Sequence, residues 1–290
     1  MTPIVQNPLK GIYLMVASMG GFAIADTLIK LASGTMSPAH TTLMLMGGGL
    51  LVFAALAKWQ GEALLSWEAF RPLYLMRYVA EIMGTFGIVL SLTYVDLSVV
   101  GAILQATPLV VVVGAILFLG ERVSWRRWSA IGVGFVGVLM IVQPGDEGFD
   151  ATVLWPILAM TGLALRDLTT RVTPPGMNSA RLATYTMAAA LPFALLWIGL
   201  AEDTWLPASP NWVLVFGMVG FGALGYLLLI ASIRAAPVSV VSPYRYSRLI
   251  FLLVAGMLVF GERPGIMTLA GAALIVASGI YAMWRDRQTA

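Results

Sequence analysis

The chain has 290 residues, of which 59% are hydrophobic and 11% charged, with a mean hydropathy of +0.89 and a formal net charge of +3. A soluble domain is about a quarter charged, so this composition excludes an ordinary water-soluble fold. The basic residues are scattered along loop edges and form no stripe, which argues against a nucleic-acid partner, and a chain without cysteine has no disulfide framework, thiolate metal site or cysteine nucleophile.

Apolar runs of about 17–25 residues are what a helix needs to cross a bilayer. In chain order they fall at 11–31, 38–56, 72–92, 97–119, 128–142, 151–170, 180–200, 212–233, 239–260 and 264–284. The expected fold is therefore an all-α integral membrane protein with ten transmembrane helices. The first run contains Asp26 and Lys30 and is followed by no small-residue cleavage site, so it reads as a spanning helix and not a signal peptide. Proline, glycine and acids mark loops at QPGDEG (143–148) and EDTWLPASPN (202–211). If the N-terminus is cytoplasmic, that side collects Lys10, Lys58, Arg71, Arg122, Arg126, Arg127, Arg171, Arg181, Arg234, Arg285 and Arg287, while Lys30 and Arg263 fall opposite. Both termini are expected in the cytoplasm. The tryptophans fall near span ends, where amphipathic rings sit at the membrane interface.

An internal repeat underlies the ten spans. LGER at 119–122 recurs as FGER at 260–263, and SVV at 98–100 recurs at 239–241, both with an offset of 141 residues. The same offset pairs Asp26 with Asp167, Lys30 with Arg171, Met36 with Met177, Gly84 with Gly225 and Ser91 with Ser232. Two tandem copies, 1–147 and 148–290, of about five spans each are expected. An odd number of spans turns the second copy upside down in the membrane, the inverted-repeat architecture of many secondary transporters.

Three stretches carry a resemblance: MVASMGGFAIADTLIK, the block ATPLVVVVGAILFLGERVSWRRWSAIGVGFVGVLMIV, and its echo SPYRYSRLIFLLVAGMLVFGERPGIMTLAGAALIVASGIYA. With them the whole chain resembles the drug/metabolite transporter superfamily, in its EamA-like family of paired five-helix repeats. SMGGFAIADTLIK, AILQATPL and WRRW are similar to an alphaproteobacterial branch that includes riboflavin uptake carriers. Neighbouring branches carry amino acids, nucleosides or S-adenosylmethionine. The resemblance implies a multi-pass protein of the bacterial inner membrane whose partners are a small-molecule metabolite and the bilayer, with a proton or exchange substrate as coupling partner.

The repeat also sorts the charges inside the spans. Asp26 and Lys30 are four apart in the favoured order, and Asp167 and Arg171 repeat the arrangement, so each is expected to form a local ion pair, of the scaffold or of proton coupling. Glu121 and Glu262 follow glycines at span ends and are expected to close helices. The unmatched set is different: Arg245 stands opposite Leu104, Arg248 opposite Thr107, Tyr246 opposite Gln105, Arg77 opposite Met218, Glu81 opposite Gly222 and Arg166 opposite Ala25. An arginine at the bilayer centre costs about 2.5–3.5 kcal/mol on insertion scales, so two on one helix face need partners or water. Tyr244, Arg245 and Arg248 are expected to line a central cavity, arginine supplying planar donors and tyrosine a stacking face; the competing reading is snorkelling to the inner interface. Glu81 is expected to hold Arg77 or another arginine, with Gln105 and Thr107 facing the site across Pro108.

The remaining signals are structural. His40 stands alone without partners for a metal site, the glycine clusters suit close helix packing, and the methionines suit pliable filler. No phosphate-loop motif G-x-x-x-x-G-K-[ST] occurs. No cofactor or metal is expected, and neither a Ser/His arrangement nor a free carboxylate dyad suggests an enzyme. The function expected is secondary carriage of small organic metabolites by alternating access, with riboflavin or another ring-bearing compound as substrate and a noncatalytic membrane subunit as the remaining rival.

Overall fold

The computed structural model describes residues 8–64, 67–120, 125–143, 150–172, 177–201, 204, 207, 210–236 and 238–289. Regular structure among them is helical throughout. In order it comprises α1 (Pro8–Ala32), α2 (Pro38–Trp59), α3 (Pro72–Tyr94), α4 (Leu97–Leu104), α5 (Thr107–Leu119), α6 (Trp125–Val142), α7 (Leu154–Arg171), α8 (Ser179–Leu200), α9 (Trp212–Ala235), α10 (Val238–Val241), α11 (Ser247–Phe260) and α12 (Ile266–Thr289). Short 3-10 turns occupy Trp67–Phe70, Ala151–Val153 and Ser242–Tyr246. Eight helical segments are long and apolar enough to cross a membrane, and Trp128–Val142 and Ile266–Ala282 are shorter apolar helices. Glu121, most of the QPGDEG loop, and the side chains of Arg171 and Ser239 lie outside the described residues.

Local chemistry sets the helix ends. Ser37 accepts from His40 N at 3.3 Å to start α2, Asn178 accepts from Ala180 N at 2.8 Å to start α8, and Asn211 accepts from Val213 N at 3.1 Å to start α9. Gly120 ends α5 and Gly261 ends α11 with φ of 67° and 65°, a left-handed conformation that glycine adopts without steric penalty.

Two of the expected spans are interrupted. The fourth runs as α4 and α5, parted at Gln105 and Ala106, with Pro108 in the first turn of α5 where a missing N–H leaves no bond broken. The ninth runs as α10, a 3-10 turn from Ser242 to Tyr246, and α11. Gln105, where the first break begins, and Tyr246, where the 3-10 turn ends, are 141 apart, while the prolines, Pro108 and Pro243, stand at different places in the two copies. The two breaks thus meet at one equivalent position without a shared proline.

The helices pair as α1 with α9, α3 with α7, α2 with α8 and α6 with α12, and α1–α11 contact is matched by α5–α7 contact. Shifting each helix by the repeat offset turns α1–α9 into α7–α3 and returns the other two main pairs onto themselves. Between helices in lipid there is no hydrophobic driving force, so close approach of small residues supplies the attraction. A Cβ on Gly21 of α1 would lie 3.2 Å from Gly225 Cα of α9; one on Gly162 of α7, its repeat equivalent, would lie 2.7 Å from Gly84 Cα of α3. Met36, Leu92, Val100, Ile103, Met218, Leu252 and Ile275 fill the centre.

The two glycine contacts are equivalent in sequence but not in tightness. Gly162→Ala should lower stability by about 1–3 kcal/mol, because its neighbour is rigid backbone, and Gly21→Ala by a fraction of that. Thermal unfolding of the two variants in the same detergent checks the order.

Candidate functional site

The 3-10 turn and the first turn of α11 carry the site. With about three residues per turn, Arg245 and Arg248 lie one above the other. Arg248 donates from Nε and Nη2 to Asp26 Oδ2 of α1 at 3.0 and 2.5 Å, and its guanidinium sits 5.5 Å from the centroid of Phe22. Arg245 Nη2 lies 3.9 Å from Asp167 Oδ2 of α7. The two aspartates occupy equivalent positions in the repeat, so adjacent arginines of one segment reach the matching carboxylates of both halves.

From Asp167 the charges continue in a chain. Arg166 donates from Nε and Nη2 to Asp167 Oδ1 at 3.0 and 2.8 Å, and its Nη1 lies 3.5 Å from Glu81 Oε1 of α3. Arg77 Nη2 is 3.9 Å from Glu81 Oε2, while its Nη1 donates to Thr170 Oγ1 and, at 3.4 Å, to the Arg166 carbonyl. Asp26, Arg77 and Glu81 are buried. Tyr244 and the Arg245 side chain, by contrast, are 40% and 43% exposed. Tyr246 is turned inward, its hydroxyl against Gly279 of α12 and without a hydrogen-bond partner among the described residues.

The expected local pair of Asp26 with Lys30 is not what forms. Lys30 donates from Nζ to the Val95 carbonyl at 2.6 Å and lies 3.7 Å from Glu262 Oε1. It stands in the last turn of α1, where these acceptors from α3 and α11's end are within reach, and the forked guanidinium of Arg248 takes the carboxylate instead. Asp167 likewise takes Arg166 and Arg245; the Arg171 side chain lies outside the described residues.

Glu262 does close a helix, but one in the other half. Its Oε1 accepts from Leu97 N at 2.6 Å and its Oε2 from Ser98 N at 2.9 Å and from the Ser98 hydroxyl. Asp96, the residue preceding α4, makes no side-chain cap there, so the carboxylate supplies it and favours the positive end of the helix. Lys30, Glu262 and the start of α4 thus form a second polar junction.

Gln105 is buried at the break before α5, and Thr107 gives its hydroxyl to the Leu104 carbonyl at 2.6 Å; neither bonds to the arginine cluster among the described residues. His40 is buried, with Nδ1 2.9 Å from Ser37 Oγ and Nε2 2.7 Å from the Thr204 carbonyl, a fastening between α2 and the segment before α9. Sequence reasoning did not single out Thr170 or Phe22. Thr170 could have been found from its place four residues after Arg166 on one helix face; Phe22 stands four before Asp26.

Residues 9–143 and 151–284 each match the EamA-like transporter family. The chain belongs to that family. Among curated proteins, this EamA-like chain is 24% identical over 220 residues to the S-adenosylmethionine uptake transporter of Rickettsia conorii, covering 75% of this chain and 74% of that one. It is 26% identical over 295 residues to the riboflavin transporter of Vibrio cholerae, covering 99% and 97%. A crystal structure at 17% identity superposes with a TM-score of 0.62 over 96% of this chain and 98% of the other, so the fold is one already seen in a solved protein.

Removing one member of a buried ion pair costs about 3–5 kcal/mol because the other is left uncompensated. Asp26→Ala and Arg248→Ala should each destabilise on that scale, with the double variant recovering about 0.5–3 kcal/mol relative to their sum. Unfolding measured on the full double-mutant cycle tests the pair. Glu262→Ala should cost about 3 kcal/mol or more, since it strands Lys30 and uncaps α4 together. Glu262→Gln, which keeps an acceptor, should cost less in the same measurement.

Proposed function

We propose that this chain is a secondary carrier of small organic metabolites that works by alternating access, residues 1–147 and 148–290 forming two inverted five-span repeats. The 141-residue offset, a family match on each half and the self-mapping helix contacts support the repeats. The two shorter apolar helices, Trp128–Val142 and Ile266–Ala282, complete ten spans. The chain sits in the bacterial inner membrane with both termini cytoplasmic, and catalyses no chemical conversion.

One observation carries the reading. Arg245 and Arg248, from a helix interrupted in mid-span, reach the equivalent aspartates of both halves. A group that competes for Arg248 or Asp26 therefore changes a contact between the halves, which is the differential interaction that a population shift requires, while Arg245 and Asp167 lie beside it within the second half. Charged side chains do not face lipid, so the exposed parts of Arg245, Asp167 and Arg166 face water and substrate. Tyr244, Arg245, Arg248, Arg77 and Glu81 form the substrate site, with Gln105 and Thr107 at the matching break of the first half. Asp26 and Asp167 are the candidate proton-coupling groups, since protonation of either carboxylate weakens its arginine contact. The substrate is a ring-bearing metabolite of the class that includes the riboflavin and S-adenosylmethionine named for the relatives.

Uptake of labelled riboflavin, and separately of S-adenosylmethionine, by bacteria unable to make the compound tests this against vector-only cells. Uptake of at least one above control is expected. Arg248→Ala should then reduce uptake at least about tenfold with the protein still in the membrane, and Arg248→Lys should recover little, because a point charge does not replace a bidentate fork. Normal uptake by Arg248→Ala removes the site assignment; a chemically altered product removes the carrier reading.

A further inference from the structure

We propose that the arginine cluster selects its substrate through an anionic carboxylate or phosphate group, received by the Arg245 guanidinium on the turn that also carries Tyr244. The proposal rests on the cluster being the carrier's substrate site.

The charge count supplies the first step. Among the described residues the cluster sets Arg77, Arg166, Arg245 and Arg248 against Asp26, Glu81 and Asp167, four guanidinium groups to three carboxylates. Guanidinium stays charged, so the excess positive charge is permanent at any pH the cell meets. In a membrane interior an uncompensated charge is unfavourable, and only water or a mobile anion can compensate it here.

Geometry says which arginine carries the excess. Arg248 and Asp26 form a close pair with bonds of 2.5 and 3.0 Å. Arg166 lies between two carboxylates at 2.8 and 3.5 Å. Arg77 is buried beside Glu81 and gives its Nη1 to α7. Arg245 remains. It meets Asp167 only at 3.9 Å, that carboxylate already accepts two bonds from Arg166, and 43% of the Arg245 side chain is exposed. Its planar donors suit a carboxylate or phosphate bidentately. Tyr244, the preceding residue of the same turn, is 40% exposed and offers an aromatic ring. The buried Nε of Arg77 has no acceptor among the described residues, so the cluster also holds an unused donor. A cationic group placed at Arg245 would raise the local excess to two; one anionic group placed there removes it.

The chain contains no cysteine, so Tyr244→Cys introduces a single thiol next to Arg245. The test compares its rates of modification by sulfonatoethyl methanethiosulfonate, an anion, and trimethylammonioethyl methanethiosulfonate, a cation of similar size, each divided by the rate for 2-mercaptoethanol in water. Any change in the thiolate fraction affects both reagents equally and cancels in the ratio. The anion should react roughly tenfold faster on this normalised scale. Adding Arg245→Gln should bring the ratio to about one or below. Ser247→Cys, a near-isosteric change one turn along, provides the same readout if the tyrosine variant does not fold. A ratio near one with Arg245 present, or a preference for the cation, overturns the anionic substrate and leaves the carrier reading standing. Reaction with neither reagent at either position means that the arginine does not face water, and overturns both this proposal and the site on which it rests. An anionic preference in a protein that transports nothing leaves the anion site and removes the carrier.

Discussion

The charged groups described inside the helices are organised by one constraint: a carboxylate placed in the membrane interior is stabilised by a cation that meets it there. Asp26 and Asp167 hold equivalent places in the two halves, yet Asp26 is neutralised from the other half, by Arg248, and Asp167 within its own, by Arg166 and Arg245. Their partners include Arg248 and Arg245, side by side on a segment whose backbone departs from α-helix between Ser242 and Tyr246. Breaking the Asp26–Arg248 contact exposes unpaired charge to a medium that tolerates it poorly, so the halves are held there by an interaction that is strong while made and costly while open. Such a contact switches cleanly only if something else, a proton or a ligand, takes the released partner.

The apolar contacts have the opposite character. Gly21 against Gly225 and Gly162 against Gly84 bring backbones together with no side chain between them, and such surfaces can slide without leaving a polar group unsatisfied. The junction of Lys30, Glu262 and the start of α4 adds a second polar fastening, one whose carboxylate is buried and fully bonded. Motion between the halves must therefore be decided at the charged contacts and guided at the glycines. The two classes of contact divide specificity from mobility.

Much of this was legible from sequence, for physical reasons. Span positions follow from the length of apolar run that a bilayer demands, and the 141-residue offset survives because both copies must build the same helix pairs. The interruptions at 105–106 and 242–246 were less visible, since Pro108 follows the first and Pro243 begins the second, at places that the repeat does not match. The charge partners were the hardest to read. Helical spacing proposes Lys30 for Asp26, but spacing ranks only neighbours on one helix, and a forked guanidinium from α11 outcompetes a flexible lysine near the helix end. Sorting charges into matched and unmatched sets was likewise incomplete: the matched aspartates are scaffold-like in position, yet the unmatched arginines bind them. Glu262 shows the same limit, closing a helix as expected but one 164 residues away in the chain.

The unequal strength of the two arginine contacts gives the cluster an order of events. Arg245 gives up little by turning from Asp167, because it makes only a 3.9 Å approach to an oxygen pair already served by Arg166. Arg248 gives up two short bonds and a position over Phe22. In the proposed site an entering anion is met first by Arg245 and gains contact with the second half before the Asp26–Arg248 tie to the first is disturbed. Once that charge is in place it also competes electrostatically with Asp26 for Arg248, one turn away, and lowers the cost of the second release. On that proposal binding and conformational change are coupled through charge, and the weak pair, not the strong one, is where a substrate gains its entry.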